Sequence, residues 1–518
     1  MCRCHSCSGC QGGVDRRSFL KGLGAAAVTA GGLSLPGSVI AGGEGGKVRV
    51  AAVFLANTSI REIWPYPGFN AEGRQRVILA ALGKGCPGVE FVPVTVRNAG
   101  DIQRAVGLKG EVDGYLVYVV TLDWGLGGAI SEIGGLGKPL VVATEFLGGC
   151  GVFLTRYSEL RSGGIPAAAV SSTRLSDLVA VAGEFANVRK PGVTAGSFAR
   201  RCEEIYRRRF GGLVDAGCAE DRVELTDIGE CVKRFGESRF LIVGQGRGGE
   251  EDDFLGAKAR YVEFEELQGL YDKVDPDEAA DWAGRWRRRA EKVVEGETET
   301  LRKSAAVYLA TLELLKKYDT DSVTMNCLGG FAAGNLAAYP CLGFMQILDD
   351  GGQGVCEAMA DDTLSMLMAR ILTDRPGYVS DPALDTSKNH IVYAHCVATT
   401  KAFGPKGKSN GFRIRTLHNR DPRGACGESL LPGGYMTTSF RTNFGRKEMV
   451  IHQAKAVGSL ESEYGCRTKL VAEPVGDIGK LFDQWDQFGW HRVTVYGDVA
   501  DPLAEFGRAL GLKVIEEA

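Results

Sequence analysis

The sequence predicts an α/β fold in which a parallel sheet carries helices on both faces. Short, nearly continuous apolar runs alternate with helix-length segments, and this alternation is typical of buried parallel strands joined by helical crossovers. The clearest runs are Lys47–Leu55, Val89–Val96, Gly114–Val120 and Pro139–Thr144. Between the first two, residues Arg74–Leu82 have helical spacing. We therefore expect the chain after its first 46 residues to open with a strand–helix repeat.

Two further units follow the first. The second begins after the polar turn Arg189–Gly192 and contains the strand-like run Arg239–Gly244. The third opens near Asp321, includes a helix that starts at Asp361 or Asp362, and closes with a strand–helix–strand pattern. An aspartate at the start of that helix is placed to cap it. The predicted divisions are a leader at 1–43 and domains at 47–188, 189–320 and 321–518.

The composition is that of an ordinary globular protein. The 518 residues carry a net charge of -3, with 24% charged and 44% hydrophobic residues. Nucleic acids and anionic membranes bind basic surfaces, and this chain shows no such excess. No segment after the leader is long and apolar enough to span a membrane. We expect a small molecule or further copies of the chain as partners, not nucleic acid.

The N-terminus resembles a twin-arginine export signal. Arg16 and Arg17 precede Ser-Phe-Leu-Lys, a short apolar stretch and small residues at Val39–Ala41. A charged region, a short apolar region and a small-residue cleavage site define such a signal, and the adjacent arginines indicate the twin-arginine route. The alternative is a membrane anchor, but the apolar stretch is Gly/Ala-rich and short. The prediction is export to the periplasm or the extracellular space.

Four of the fifteen cysteines precede this signal. Cys2, Cys4, Cys7 and Cys10 flank His5 and resemble a metal cluster, yet they would leave with a cleaved leader. The other eleven cysteines are scattered and odd in number, so they do not form a disulfide framework. We interpret most of them as small buried hydrophobic residues.

The segment Gly244–Gly249 matches the G-x-G-x-x-G pattern of dinucleotide-binding proteins and follows a strand. Four carboxylates follow at Glu250–Asp253, where a pyrophosphate needs positive potential, and no helix begins there. We therefore interpret the segment as a glycine-dependent turn and expect no NAD cofactor.

Two histidines and one arginine are candidates for a site. His395 ends a strand-like run and His491 begins one, so each could line a cleft, bind a metal or simply pack in the core. Arg467 could pair with a carboxylate or a substrate oxygen, although most arginines are solvated. Spacing alone leaves these alternatives open.

Several short segments in the same order resemble the L-fucose isomerase and L-arabinose isomerase family. The segments are Pro65–Gly73, Val112–Tyr115, Tyr339–Gly343, Asp349–Glu357, Ile371–Asp374, Ala394–Cys396, Gly465–Thr468 and Gly489–Asp498. The resemblance implies two Rossmann-like domains followed by a C-terminal α/β domain that is partly β-barrel-like. It also implies a homo-oligomer, either a trimer or a hexamer, and a sugar as the small-molecule partner.

The resemblance further implies a divalent metal, usually manganese, held by two carboxylates and a histidine. A carboxylate then moves a proton between adjacent carbons of the open-chain sugar. His491 falls at the histidine ligand, and Glu357 matches a glutamate of the family. Glu357, Asp361 and Asp362 lie near the carboxylate positions and could substitute there, although helix caps and surface acids are the commoner explanation for the two aspartates. We take Glu357 and His491 as the candidate metal ligands, and Glu357 and Asp361 as the candidate catalytic carboxylates. The family's carboxylate positions align with Asn326 and Met359, which become substrate-contact candidates together with His395 and Arg467.

Two functional hypotheses follow. The first is an exported aldose–ketose isomerase with an altered metal site, because an amide and a thioether would replace the two carboxylates, and a thioether is a poor manganese ligand. The second is a non-catalytic carbohydrate-binding protein that retains the cleft. A nucleotide-linked oxidoreductase is a third reading, and it rests on the glycine-rich segment alone.

Overall fold

The computed structural model describes residues 46–57, 64–212, 217–418 and 420–518. The proposed export signal and the N-terminal cysteine group lie outside these residues. The helices and strands described below belong to one compact unit, Lys47–Ala518.

The first sheet contains five parallel strands in the order β2-β1-β3-β4-β5. The sequence runs that predicted its strands are strands in the structure, and every residue of β3 and β4 is buried. The elements are β1 (Val48–Leu55), α1 (Ala71–Gly85), β2 (Val89–Val96), α2 (Ala99–Gly107), β3 (Gly114–Val119), α3 (Trp124–Gly134), β4 (Leu140–Thr144), α4 (Cys150–Ser162), β5 (Ala168–Val170), α5 (Leu175–Ala182) and α6 (Ala195–Arg207). The predicted parallel α/β architecture is confirmed here.

The second sheet has the order β11-β10-β6-β8-β7, and all of its pairs are parallel except the hairpin β7–β8. Its strands and the surrounding elements are α7 (Ile228–Gly236), β6 (Arg239–Val243), β7 (Glu251–Phe254), β8 (Ala257–Val262), α8 (Phe264–Tyr271), α9 (Pro276–Arg289), β9 (Lys292–Val293), α10 (Thr298–Lys317), β10 (Ser322–Met325), α11 (Cys327–Ala332), α12 (Cys341–Asp349), β11 (Gln353–Cys356) and α13 (Ala360–Thr373). The Gly244–Gly249 segment is the turn from β6 into β7, so a strand follows it.

The C-terminal region closes into an antiparallel six-stranded β-barrel, β16-β19-β12-β13-β18-β17, because β17 also pairs with β16. Strand β20 adds to β17 in parallel, and β9, β14 and β15 form a small separate sheet. The elements are β12 (Tyr378–Asp385), β13 (His390–His395), β14 (Phe412–Arg415), β15 (Cys426–Ser429), β16 (Met436–Asn443), β17 (Glu448–Ser459), β18 (Thr468–Pro474), α14 (Ile478–Gln484), β19 (Arg492–Tyr496), α15 (Ala500–Ala509) and β20 (Lys513–Glu516). Closure leaves the barrel without free edges.

Within the described ranges, no helix is both long and apolar enough to cross a membrane.

Candidate active site

Strand register brings three polar side chains together at one end of the barrel. In β12, Asp381 pairs with Ala394 of β13, and the residue before it, Ser380, pairs with Arg492 of β19. His395 and His491 are the chain neighbours of those two partners, so both histidines lie beside Asp381. Their rings are 6.1 Å apart and nearly perpendicular.

His491 lies between two carboxylates. Its Nδ1 is 2.6 Å from Oδ2 of Asp362, at the start of α13, and its Nε2 is 2.9 Å from Oδ1 of Asp381. Asp362 also accepts a hydrogen bond from Nε of Arg441 at 2.8 Å. Burial by itself favours neutral imidazole, but Asp362 and Asp381 raise the pKa of His491 well above its usual range. A proton shared between Nδ1 and Asp362 directs Nε2 toward Asp381.

Glu357 completes the group. It follows β11 directly, and its Oε1 is 3.7 Å from Nε2 of His395. One third of the Glu357 side chain is exposed, whereas His395, Asp381 and His491 are almost fully buried. The backbone φ angle is +71° at Glu357 and +55° at Ala358, a conformation that is unfavourable for residues other than glycine. The fold therefore holds Glu357 in a strained turn, on the accessible side of the group.

The charges of this group depend on one another. Burial opposes ionisation of Glu357, yet its interaction with His395 and the charge of His491 lower its pKa. Burial likewise disfavours the charged form of His395, and the same contact with Glu357 nevertheless raises its pKa to about 9. The group is thus a set of mutually stabilised acids and bases, of the kind found where protons are transferred.

The donor set fits a hard divalent cation. Nδ1 of His395 is buried and has no hydrogen-bond partner among the described residues. Oδ1 of Asp381 is also buried, and although it lies 2.9 Å from Nε2 of His491, the two atoms do not form a hydrogen bond of good geometry. Two ligands at adjacent positions of an octahedral manganese or magnesium ion, each about 2.1 Å from it, lie about 3 Å apart. Two carboxylates and an imidazole are suitable donors, and the Asp362 contact is the usual outer support of a metal-binding histidine. Glu357, Asp381 and His491 are therefore the residues that could hold such a cation.

The structure brings together three of the residues singled out in the sequence: Glu357, His395 and His491. Asp361 lies next to Asp362, but its Oδ1 accepts a hydrogen bond from the backbone N–H of Phe444. Asp362, one residue further along α13, is the carboxylate that contacts His491.

The remaining candidates have other contacts. Asn326 caps α11 because its side chain accepts a hydrogen bond from Gly329 N–H. Met359 precedes α13, and its backbone carbonyl accepts a hydrogen bond from the Thr363 hydroxyl. The buried guanidinium of Arg467 donates to Thr416 O and contacts Glu295 and Glu463. The carboxylates near His491 are therefore Glu357, Asp362 and Asp381, rather than residues at positions 326 and 359.

Sequence reasoning missed Asp381. The available signal was a carboxylate inside an apolar strand: Tyr378-Val379 precedes it closely, Ala383-Leu384 follows, and all eight residues of β12 are buried. A buried charge of this kind requires a partner or a ligand, and here it faces His491.

The N-terminal sheet borders the same region. Cys150, at the start of α4, lies close enough to Asp381 for that carboxylate to help burial raise the pKa of the thiol. Trp124, at the start of α3, contacts Trp490 with ring centres 5.6 Å apart, and Trp490 precedes His491. Trp124 remains 45% exposed. The carboxyl ends of parallel strands, where α/β proteins bind ligands, thus adjoin the carboxylate–histidine group.

A second group of side chains that could bind a metal is buried near the first. Cys396, His418 and Cys466 are buried, and their ligand atoms are all within 4.8 Å of one another. Ten of the eleven cysteines after the leader are buried, and all eleven are free thiols.

The chain is distantly similar to two sugar isomerases. It is 24% identical over 337 residues to the sulfoquinovose isomerase of Priestia aryabhattai, an alignment that covers 62% of this chain and 74% of that protein. The sulfoquinovose isomerase of Priestia megaterium (strain ATCC 12872 / QMB1551) shows the same identity and coverage. No protein-family model matches the chain. This distant relationship supports the sugar-isomerase interpretation, without distinguishing L-fucose or L-arabinose isomerases from other members.

Proposed function

We propose that the protein is a divalent-metal-dependent aldose–ketose isomerase that acts on a free sugar. The observation that carries the proposal is the convergence of Glu357, Asp381 and His491, with the imidazole of His491 fixed by Asp362. The distant similarity to sulfoquinovose isomerases points to the same chemistry. A sulfosugar is thus one substrate to test, beside ordinary aldoses and ketoses.

The reaction requires no external oxidant, because one carbon of the sugar is reduced as its neighbour is oxidised. A proton leaves the hydroxyl-bearing carbon next to the carbonyl, and a proton is returned to the former carbonyl carbon. The proton of that hydroxyl moves to the former carbonyl oxygen, so the old hydroxyl becomes the new carbonyl and the old carbonyl a hydroxyl. A bound divalent cation would polarise the carbonyl and acidify that C–H bond. Glu357 is the accessible carboxylate of the group, and its lowered pKa keeps it ionised as a base at neutral pH.

His395 supports this role. Its Nε2 faces Glu357 and its pKa of about 9 keeps it protonated at neutral pH, so it stabilises the carboxylate before the proton arrives. Trp124 and Trp490 present aromatic surface beside the group, and we assign them to contact with the sugar. Export through the twin-arginine route remains part of the proposal on the basis of the leader sequence.

The test is a screen of aldoses, ketoses and sulfoquinovose with purified protein and added Mn²⁺, in which isomer formation is followed by NMR. We expect turnover of one sugar class, and Glu357→Gln should lower kcat by at least about a hundredfold because the base is lost. Glu473→Gln is the matched control, since Glu473 faces His390 at 3.5 Å at the opposite end of β13. It should leave kcat unchanged.

The second hypothesis, a carbohydrate-binding protein without activity, predicts a different outcome. Sugar binding without turnover in the unaltered protein, and with equal affinity in Glu357→Gln, would support it over the isomerase.

A further inference from the structure

A fourth residue, Cys426, lies beside the group formed by Cys396, His418 and Cys466. Cys396 follows β13, Cys426 begins β15, Cys466 precedes β18, and His418 lies between β14 and β15. The thiols of both Cys426 and Cys466 lie beside that of Cys396 and interact with it. All four side chains are buried. We call these four residues the Cys3His cluster.

The distances from His418 to two of the thiols match a shared metal better than hydrogen bonds. Nδ1 of His418 is 3.6 Å from Sγ of Cys396 and 3.8 Å from Sγ of Cys466. One nitrogen lone pair cannot accept two S–H donors well. For tetrahedral zinc with bonds of about 2.3 Å to sulfur and 2.0–2.1 Å to nitrogen, the ligand atoms lie about 3.6–3.8 Å apart.

The surroundings accommodate thiolates. Sγ of Cys426 donates a hydrogen bond to the Thr416 carbonyl at 3.4 Å, and Nε of Arg467 donates to the same carbonyl at 2.9 Å. The carbonyl therefore keeps a hydrogen-bond donor if Cys426 loses its proton. Lys469 and Arg467 are buried beside the cluster, so positive charge lies next to the net negative charge that a zinc ion with three thiolates would carry. Lys469 is held in place by the backbone oxygens of Ser462 and Arg467.

We propose that Cys396, Cys426, Cys466 and His418 bind a structural zinc ion. Thiolate and imidazole donors select zinc, whereas the oxygen-rich group around Asp381 suits manganese or magnesium. A four-coordinate ion here would connect the ends of β13, β15 and β18. Because Cys396 follows His395 directly, the zinc would also fix the strand that carries His395 to the candidate active site.

The experiment uses the full chain with Cys2, Cys4, Cys7 and Cys10 changed to serine, so that the N-terminal group cannot contribute metal. Elemental analysis after dialysis against EDTA should find about one zinc per chain. Cys466→Ser and His418→Ala should lose it. The matched control is Cys202→Ser, because Cys202 is a buried thiol whose Sγ donates to the Val181 carbonyl, and its replacement should not affect zinc.

Cobalt substitution tests the fourth ligand. The thiolate-to-cobalt charge-transfer absorption scales with the number of thiolates, so Cys426→Ser should lower it by about one third and Cys202→Ser should not change it. Absence of zinc together with freely alkylated thiols, or a Cys396–Cys466 disulfide in peptide mass spectra, would overturn the proposal.

The two sites can fail independently. Glu357→Gln should abolish isomerase activity and leave the zinc content unchanged. A protein that holds zinc but isomerises no sugar would contradict the proposed function and not the zinc site.

Discussion

Asp362 determines what His491 can do. The carboxylate is fully buried, and burial raises its pKa, but the imidazole of His491 and the guanidinium of Arg441 outweigh that effect and hold the pKa well below its usual range. It is therefore a permanent anion that accepts the Nδ1 proton and leaves Nε2 for a ligand. Asp362 is fully buried and contacts His491 and Arg441, so we assign it a positioning role.

Asp362→Asn should weaken Mn²⁺ binding by about 10–100-fold, because the neutral amide no longer orients His491 or strengthens it as a donor. Activity measured against Mn²⁺ concentration checks this. The variant should recover most of its kcat at high Mn²⁺. Unchanged Mn²⁺ affinity, or a loss of kcat that no Mn²⁺ concentration restores, would contradict the positioning role.

At this scale, part of the site could be predicted and part could not. Glu357, His395 and His491 stand out because their flanking segments resemble those of known isomerases. Asp381 does not, because its proximity to His491 depends on the pairing of β12 with β19, which are more than a hundred residues apart in sequence. Asn326 and Met359 have other contacts in the structure, in a helix cap and in the first turn of α13, and their role as substrate contacts stays a prediction.

At the scale of elements, the β6–β7 turn shows how glycines act by position. Gly244 has φ +81°, and a Cβ there would lie 2.1 Å from the ring of Phe264. Gly246 has φ +68°, with nothing within 4 Å of such a Cβ. Arg247 pairs with Glu250 and Asp252, so the acids that follow the turn bind the loop itself.

Gly246→Ala should cost about 1 kcal/mol of unfolding free energy, from the positive φ alone. Gly244→Ala should cost roughly 2–4 kcal/mol, because overlap with Phe264 adds to the same penalty. Urea denaturation of the two variants measures the difference. Equal losses would show that Phe264 moves aside without cost and that the turn is loosely packed.

At the scale of the whole molecule, the strand–helix alternation of the first sheet was predictable because each strand lies close in sequence to its crossover helix. Closure of the barrel was not predictable from periodicity, since it depends on β16 meeting both β17 and β19. In the sequence of residues 378–385, polar residues interrupt the apolar ones. All eight residues are nevertheless buried, because β12 is a strand of the closed barrel.

The C-terminus is tied to the barrel by a buried ion pair. Glu517 accepts hydrogen bonds from Nε and Nη2 of Arg492 at 2.8 and 2.6 Å and contacts His452 Nδ1 at 2.8 Å. Burial opposes its ionisation, but Arg492 and His452 lower the pKa of Glu517 from 4.5 to about 2. The resulting stabilisation of about 3 kcal/mol is fully present above pH 4.5 and is lost as the pH falls through 2.

Glu517→Gln should therefore lower the unfolding free energy at pH 7 by about 3–5 kcal/mol, because Arg492 would be left buried without a counter-charge. It should also flatten the dependence of stability on pH between 4.5 and 2. Glu516→Gln is the control, because Glu516 is adjacent to Glu517 in sequence but is exposed. Urea midpoints measured across this pH range check the prediction, and parallel curves for the two variants would refute it.

The leader makes a separate prediction about localisation. Arg16→Lys with Arg17→Lys should retain the protein in the cytoplasm, because the adjacent arginines identify the twin-arginine route. Cell fractionation followed by immunoblotting measures it. Equal export of the double variant and the unaltered protein would show that another signal directs transport.

The proposed function requires that Glu357, Asp381 and His491 hold one hard divalent cation. Titration with Mn²⁺, followed by the EPR signal of the free ion, measures this binding. We expect the unaltered protein to bind about one Mn²⁺ and Asp381→Asn to weaken binding by at least about tenfold, whereas Glu473→Gln should leave it unchanged. If Asp381→Asn binds Mn²⁺ as tightly as the unaltered protein, the cation lies elsewhere and these three residues do not form its site.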